Sequence, residues 1–453
     1  MTHSLKHIKI KDFTTEAGAK IPELNLSYQV FGKELGEAPV VLINHALTGN
    51  SEVAGKNGWW QDIVGKEKAI NIDVYTVLSF NIPGNGFDEF LIDNYKDFIA
   101  RDVAKLFLEG LSTLKIKQLF ALIGGSLGGG IAWEMVVLNN QLTQHFLPIA
   151  TDWKSTDWLI ANCQIQEQFL VNSSNPVHDA RMHAMLCYRT PESFKERFHR
   201  SKNEDSAIFN VESWLLHHGK KLQERYQLSS YKLMNQLLKT IDVTVGSKKD
   251  IAILDQIDAN IHIIGVDSDL FFTAEENRET HKKLALTKAN VTYNEINSVH
   301  GHDAFLIEYN QLEKIIEPIF NQDYREKRMK VIKFGGKSLA NEKGLQNAIE
   351  IIIDKFKNGE KFTVVLSARG NSTNELETIL DLAAAKKEYK TEFKKFKEYQ
   401  QQPSNSVDLN EQFTKLETIF EGVSLLGDFS QKIKDEVLAQ GELLSVKLVA
   451  SLL

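Results

Sequence analysis

The strongest local signal in the chain is Leu119-Phe-Ala-Leu-Ile-Gly-Gly-Ser126-Leu-Gly-Gly-Gly130. It begins as a short apolar strand, and the residues that follow, Ile131–Leu138, have the pattern of a helix. Between them, Gly124-Gly-Ser-Leu-Gly128 matches G-x-S-x-G, whose glycines leave room for a serine at a sharp strand-to-helix turn. We therefore predict Ser126 as a nucleophile and the backbone N–H of Leu127 as an oxyanion donor. The alternatives are a plain glycine-rich turn or a phosphate loop, although no G-x-G-x-x-G spacing fits.

A serine nucleophile needs a base and an orienting acid, which follow an elbow of this kind in the order Ser, Asp, His. Asp269 and His302 each come shortly after a predicted strand, and we predict them as the acid and the base. Asp267 is the alternative acid. His300 and His302 also form an H-x-H pair that could supply two metal ligands on one strand face. No second cluster with ligand spacing accompanies the pair, so we expect no metal.

A second oxyanion donor usually comes from the loop after an early strand. Pro39–Asn44 is such a strand, and His45-Ala-Leu-Thr-Gly49 is the loop. Leu47 is the candidate for the second backbone N–H.

Short apolar runs alternate with helical segments over the first 320 residues, which predicts a mostly parallel sheet with crossover helices. Strand signals stop between about residues 151 and 250, so a helical cap is expected there. A highly charged stretch, Asn321–Arg328, marks a boundary near residue 325. The prediction is one domain over residues 1–325 and a second over residues 329–453.

The composition excludes several classes of protein. The chain has 453 residues, of which 42% are hydrophobic and 25% charged, and a formal net charge of −7. These values are typical of a soluble globular protein and leave no global basic surface for nucleic acid. No apolar run is long enough to span a membrane, and two cysteines favour a reducing compartment. We expect a cytoplasmic protein with small-molecule substrates; a homodimer is compatible with this.

Several motifs occur together in order: His45–Gly49, Gly58-Trp-Trp60, the elbow, Tyr188-Arg-Thr190, Asp267-Ser-Asp269 and Gly301-His-Asp-Ala-Phe305. Over about residues 5 to 320 the chain thereby resembles the homoserine O-acetyltransferases, acyltransferases of the α/β-hydrolase fold. The resemblance implies that Ser126 takes an acyl group from an acyl-CoA and passes it to the hydroxyl of homoserine, a step of methionine biosynthesis. Acetyl-CoA would be a co-substrate, and no bound cofactor is implied.

The resemblance also implies roles for two further residues. Arg189 would bind the carboxylate of the amino acid, and Asp303 its ammonium group. Trp214 stands where the family has a tyrosine, so a succinyl donor or a related acceptor stays open. A serine ester hydrolase of the same fold, or a non-catalytic role, is the alternative function.

The tail begins Lys330-Val-Ile-Lys-Phe-Gly-Gly-Lys-Ser338, a strand running into two glycines, and its glycine N–H groups and a lysine could cradle an anion. With Ser367-Ala-Arg-Gly370 and Gln440-Gly-Glu442, this tail resembles the amino-terminal part of aspartokinases. The resemblance implies that Lys333 meets the transferred phosphoryl group and that Glu442 helps to hold aspartate.

The loop residues of this kinase-like motif are Gly335, Gly336 and Ser338. The resemblance ends at Leu453, before the part of an aspartokinase that holds the nucleotide. We therefore expect no kinase activity from this tail, and we expect an unpaired apolar sheet edge.

Overall fold

The computed structural model describes residues 4–202, 208–246, 250–320, 330–357, 362–403 and 407–453. The chain divides into two compact units, residues 1–321 and residues 322–453. In the described part, each helix is too short or too polar to cross a membrane.

The first unit is built on one large sheet. Its strands are β1 (Lys6–Thr14), β2 (Lys20–Gly32), β3 (Val40–Asn44), β4 (Val64–Gly65), β5 (Ile70–Asn71), β6 (Thr76–Phe80), β7 (Leu119–Gly125), β8 (Thr143–Ile149), β9 (Asn260–Val266) and β10 (Val291–Ile296). Eight of them form the sheet in the order β1-β2-β6-β3-β7-β8-β9-β10. β2 is antiparallel to β1 and β6, and the remaining neighbours are parallel. The predicted mostly parallel sheet is confirmed, with an antiparallel amino-terminal hairpin added to its edge.

The central strands are apolar on both faces, as parallel strands covered on both sides must be. β3 and β6 are buried along their whole length. One face of the sheet packs on a core that contains Phe80, Phe107 and Trp133. The other packs on a core that contains Trp60 and Phe305.

Helices cover both faces. The described residues of the first unit contain α1 (Ala100–Thr113), α2 (Leu127–Leu138), α3 (Asp157–Asn172), α4 (Pro176–Tyr188), α5 (Pro191–Phe198), α6 (Asn210–Gln223), α7 (Leu228–Lys239), α8 (Ala274–Leu284) and α9 (Tyr309–Phe320). α3 to α7 lie between β8 and β9 in the chain, where the sequence predicts a helical cap. Threonine side chains cap two of these helices, because Thr156 and Thr190 accept the backbone N–H groups of Leu159 and Ser193.

A buried ion pair connects α1 and α2 to the chain segment that ends the helical insertion. Arg101 on α1 lies 2.9 Å from Glu134 on α2, and the arginine also donates to the carbonyls of Val243 and Val245. Burial raises the pKa of Glu134, an effect that the charge of Arg101 opposes. A charge buried this deeply needs its partner, so removal of either side chain alone is costly.

A second buried carboxyl group lies just after β8. Asp152 accepts hydrogen bonds from Thr280 (3.0 Å), Asn277 (3.2 Å) and the backbone N–H of Trp153 (2.8 Å). Burial raises the pKa of Asp152 to about 7, although these hydrogen bonds oppose the shift.

The second unit has a two-stranded parallel sheet of β11 (Lys330–Phe334) and β12 (Phe362–Leu366). Helices α10 (Glu342–Lys357), α11 (Ser372–Ala384), α12 (Lys390–Gln401), α13 (Asn410–Leu426) and α14 (Gln431–Leu452) complete its described part. Phe393 and Phe396 of α12 are buried in its core. Val331 and Val365 are 69% and 43% exposed, so each strand of this small sheet presents apolar surface.

Candidate active site

Ser126 lies at the turn between β7 and α2, with φ 54° and ψ −125°. A residue other than glycine rarely adopts a positive φ, and strain of this kind is concentrated at functional sites. The neighbouring glycines are sterically required. A Cβ atom on Gly124 would lie 2.3 Å from the carbonyl oxygen of Gly128, and one on Gly128 would lie 2.4 Å from that of Asn44. Glycine at these two positions therefore allows β7, α2 and the end of β3 to pack closely together. This packing places Ser126 at the turn between β7 and α2.

The structure brings the three predicted triad residues together. Ser126 Oγ lies 2.8 Å from His302 Nε2, and His302 Nδ1 lies 2.7 Å from Asp269 Oδ2. All three residues are buried. An ionised carboxylate can only accept, so we assign the imidazole proton to Nδ1, which leaves Nε2 free to accept the serine proton.

Asp269 is held in one orientation by the backbone after β9. Its Oδ1 accepts the N–H groups of Phe271 (2.6 Å) and Phe272 (3.0 Å), while its Oδ2 faces His302. Asp267, the alternative acid, instead accepts the backbone N–H of Ser298 at 3.0 Å.

His302 is surrounded by aromatic rings, with ring centres 5.1 to 5.9 Å from its own: those of Tyr188, Phe271, Phe272 and Phe305. Such an environment excludes water and strengthens the electrostatic interactions inside the site.

The two predicted oxyanion donors flank the serine. Leu127 is the first residue of α2, and Leu47 is in the loop after β3, which lies beside β7 in the sheet. Among the residues that the structure describes, neither backbone N–H has a hydrogen-bond acceptor. Buried N–H groups are normally paired, so two unpaired donors beside a serine are suited to an oxyanion.

His45 holds this oxyanion loop in place. Its Nδ1 lies 2.8 Å from the carbonyl oxygen of Ala46, and its Nε2 accepts the backbone N–H of Ile82 at 3.0 Å. Burial lowers the pKa of His45 to about 4, so the ring is neutral and its proton lies on Nδ1.

Two residues that the sequence analysis did not identify also hold the oxyanion loop. The hydroxyl of Tyr226 donates to the carbonyl of Leu47 at 2.9 Å, and Arg225 Nη1 donates to the carbonyl of Thr48 at 3.3 Å. Both follow α6 and lie more than 170 positions from the loop, so no local pattern could reveal the contact.

Arg189 and Asp303 form an ion pair, with 3.1 Å between Arg189 Nε and Asp303 Oδ2. The segment that carries Arg189 packs on the residue before the histidine, because a Cβ atom on Gly301 would lie 3.0 Å from the carbonyl oxygen of Tyr188. The pair therefore lies beside His302. Arg189 Nε is buried, and within the described residues even its contact with Asp303 lacks the geometry of a hydrogen bond. Trp214 lines a small cavity next to Arg189.

The H-x-H pair does not form a strand-face metal site. His302 belongs to the triad, and His300 lies in a turn with its Nδ1 3.2 Å from Ser193 Oγ. Within the described ranges, no group of three or more histidine, cysteine, aspartate or glutamate residues could hold a metal ion.

The kinase-like residues of the second unit lie around one loop. Lys333 and Ser338 are exposed, and the carbonyl of Gly335 accepts the backbone N–H of Ser338 at 2.9 Å. The carbonyl of Gly336 accepts the N–H of Gly370, also at 2.9 Å.

Glu442, on α14, accepts the backbone N–H of Ala368 at 3.4 Å, next to the same loop. The structure thus brings together the Gly335-Gly336 loop, the segment that contains Ala368 and Gly370, and Glu442. Their suggested roles in phosphoryl transfer and aspartate binding stay a prediction.

Comparison with known proteins supports both parts. Residues 39–157 match the alpha/beta hydrolase fold family, and residues 328–453 match the amino acid kinase family. A homoserine O-acetyltransferase of Symbiobacterium thermophilum is 30% identical over an alignment of 353 positions, which covers 67% of this chain and 90% of that protein.

Two solved structures show the same fold at low identity. An esterase matches with a TM-score of 0.64 and 19% identity, over 70% of this chain and 99% of its own. The homoserine O-acetyltransferase of Bacillus anthracis matches with a TM-score of 0.62 and 19% identity, over 70% and 98%.

The fold and the assembled Ser126–His302–Asp269 array define the first unit as an α/β-hydrolase-fold protein with a serine triad. A kinase-like domain follows it. Esterases and acyltransferases both have this fold, so the sequence relationship is what separates them. The chain belongs to the homoserine O-acetyltransferase family.

Proposed function

We propose that this protein transfers the acetyl group of acetyl-CoA to the hydroxyl of L-homoserine through an acyl-enzyme on Ser126, as a step of methionine biosynthesis. The observation that carries the proposal is the Arg189–Asp303 ion pair beside an intact triad. An α-amino acid bears a carboxylate and an ammonium group on one carbon. A guanidinium and a carboxylate about 3 Å apart can bind both groups. An ester hydrolase has no need of such a pair.

The first half-reaction uses the triad and the two backbone donors. His302 Nε2 takes the proton of Ser126, whose Oγ forms a bond to the thioester carbon. The N–H groups of Leu47 and Leu127 stabilise the oxyanion, and Asp269 stabilises the imidazolium. When the C–S bond breaks, the leaving sulfur takes the proton from His302, and CoA departs as the thiol.

The second half-reaction needs the acceptor hydroxyl beside the same histidine. With the amino acid held by Arg189 and Asp303, His302 removes the proton of the homoserine hydroxyl as its oxygen attacks the ester carbon. The bond between the ester carbon and Ser126 Oγ then breaks, and His302 returns the proton to the serine oxygen. The aromatic rings around His302 favour transfer over hydrolysis because they keep water from the acyl-enzyme.

The test is release of CoA thiol from acetyl-CoA, with and without homoserine, alongside detection of O-acetylhomoserine. We expect thiol release to depend on homoserine and to be lost in Ser126→Ala. Arg189→Lys keeps the charge but not the planar fork, so it should raise KM for homoserine more than KM for acetyl-CoA.

Several outcomes would contradict the proposal. Equal thiol release with and without homoserine indicates a hydrolase. Succinyl-CoA used in preference to acetyl-CoA makes the protein a succinyltransferase. Full activity of Ser126→Ala would exclude the serine mechanism and favour a non-catalytic role for the triad.

A further inference from the structure

The turn that leads into His302 is anchored to the loop after β9 by Ser268. The Ser268 hydroxyl donates to the carbonyl of Ser298 and accepts the backbone N–H of Gly301 at 3.1 Å. Ser268 is the residue directly before the acid Asp269. The loop that supplies the acid therefore also anchors the turn that precedes the base.

The helical insertion holds the same turn through a second hydroxyl. Thr190 Oγ1 donates to the carbonyl of Val299 at 2.5 Å. Ser193 Oγ lies 3.2 Å from Nδ1 of His300, and a Cβ atom on Gly301 would lie 3.3 Å from Thr190 Cγ2. The three residues directly before the catalytic histidine therefore all contact the start of α5.

The Thr190 hydroxyl connects a helix of the insertion to this turn. Its oxygen accepts the backbone N–H of Ser193 at 3.0 Å, which caps the amino terminus of α5. Its one proton is donated to the carbonyl of Val299. Thr190 is only 4% exposed, so a side chain without a hydroxyl would leave both partners unpaired in a buried place.

His302 depends on this turn because its ring must make two hydrogen bonds at once. Nε2 lies 2.8 Å from Ser126 Oγ, and Nδ1 lies 2.7 Å from Asp269 Oδ2. Val299 is three positions before the histidine, and the intervening Gly301 has a φ of 66°, a conformation that favours glycine. A displaced turn would therefore move the ring, and a misplacement of about 1 Å can cost roughly a hundredfold in rate.

We infer that Thr190 is a positioning residue, through which the helical insertion keeps His302 aligned with Ser126. Thr190 acts through the carbonyl of Val299 and takes no part in the chemical steps. The inference rests on one part of the proposed function, the role of His302 as the base for Ser126. Loss of the Thr190 hydroxyl should slow attack by the serine without reducing the number of folded sites.

The test is acetylation of Ser126 by p-nitrophenyl acetate, which needs neither CoA nor homoserine. The rate constant of the initial burst of p-nitrophenolate measures attack by the serine, and the burst amplitude counts the competent sites. In Thr190→Val, which keeps the branched shape, we expect the rate constant to fall about tenfold with the amplitude unchanged. Thr190→Ser retains a hydroxyl that can cap α5 and donate to Val299, so its rate constant should stay within about threefold of the wild type.

Thr156→Val is the matched control. Thr156 caps α3 of the same insertion, where its hydroxyl oxygen accepts the backbone N–H of Leu159 at 3.4 Å. This variant loses the cap of a helix but keeps the bond between Thr190 and Val299. Its burst rate constant should stay within about twofold of the wild type.

Three outcomes would overturn the inference. A lower amplitude with an unchanged rate constant in Thr190→Val would assign the hydroxyl to folding alone. An equal loss of rate in Thr156→Val would show a general effect of helix capping, and a Thr190→Ser protein as slow as Thr190→Val would show that the hydroxyl is not the cause. A wild type that gives the burst but no homoserine-dependent release of CoA would contradict only the proposed acetyl transfer.

Discussion

Replacement of Asp269 by asparagine is expected to trap His302 in the wrong tautomer. Asp269 Oδ1 accepts two backbone N–H groups, from Phe271 and Phe272, so the new side chain must place its amide oxygen there. The opposite orientation would set an NH₂ group against two donors, at a cost of about 1–3 kcal/mol for each lost hydrogen bond. The NH₂ group therefore faces His302 Nδ1, which must become an acceptor.

The proton of the imidazole then moves to Nε2, which lies 2.8 Å from Ser126 Oγ. An Nε2–H group cannot take the serine proton, so we expect kcat to fall about 10³–10⁴-fold. That is an increase of about 4–5 kcal/mol in the activation free energy. Thiol release with acetyl-CoA and homoserine measures the rate, and ¹⁵N NMR of the histidine ring identifies the tautomer.

The matched control is Asp267→Asn, two residues earlier in the same loop, where the carboxylate faces Ser298 and not the histidine. It should retain kcat within about threefold of the wild type. A folded Asp269→Asn protein that kept more than a tenth of the wild-type kcat would refute the reasoning. So would an NMR spectrum that showed the proton still on Nδ1.

Three further predictions concern buried polar groups. Tyr226→Phe removes the hydrogen bond to the Leu47 carbonyl and loosens one oxyanion donor; kcat should fall about 3–30-fold in steady-state assays, with KM for homoserine unchanged. The raised pKa of Asp152, about 7 against 3.8, means that the folded state keeps a proton which the unfolded state loses. Urea unfolding should therefore show wild-type stability, relative to Asp152→Asn, falling by about 3 kcal/mol from pH 4 to pH 7. Glu134→Gln leaves Arg101 buried and unpaired, so urea unfolding should show a loss of about 3–5 kcal/mol, most of it recovered in the double variant with Arg101→Met.

Each of these has a contradicting outcome. Wild-type kcat in Tyr226→Phe would show that the loop keeps its donor without the hydroxyl. A stability difference that stayed flat with pH would mean that the carboxyl group of Asp152 is ionised in the folded protein at pH 5. If the Glu134→Gln variant and its double variant were equally unstable, the ion pair would not be the source of the loss.

Much of the candidate site is visible in the sequence because its residues follow strands directly. Ser126, Asp269 and His302 each come after a short apolar run, and parallel strands bring their carboxyl ends to one edge of the sheet. The glycines of the elbow are equally local signals, since each reflects a steric requirement at its own position.

The features that the sequence does not predict depend on contacts between residues that are far apart in the chain. Tyr226 reaches Leu47 across 179 positions, and no periodicity or motif marks either as a partner. The amino-terminal hairpin was also not predicted, because its outer strand alternates exposed and buried residues and contains no continuous apolar run. The hydrogen bonds of Asp152 likewise come from a distant part of the chain, because Thr280 lies more than a hundred residues further along.

The wide spacing of the triad also sets the order in which the site can form during translation. Ser126 and His302 are 176 positions apart, so the hydrogen-bonded array cannot exist until most of the first unit has been synthesised. Residues 330–453 follow, and at about 5–20 residues per second they take roughly 6–25 s to make. Domains generally fold as units, the amino-terminal one first. The first unit therefore has that interval to assemble its triad on the ribosome while the second unit is still being synthesised.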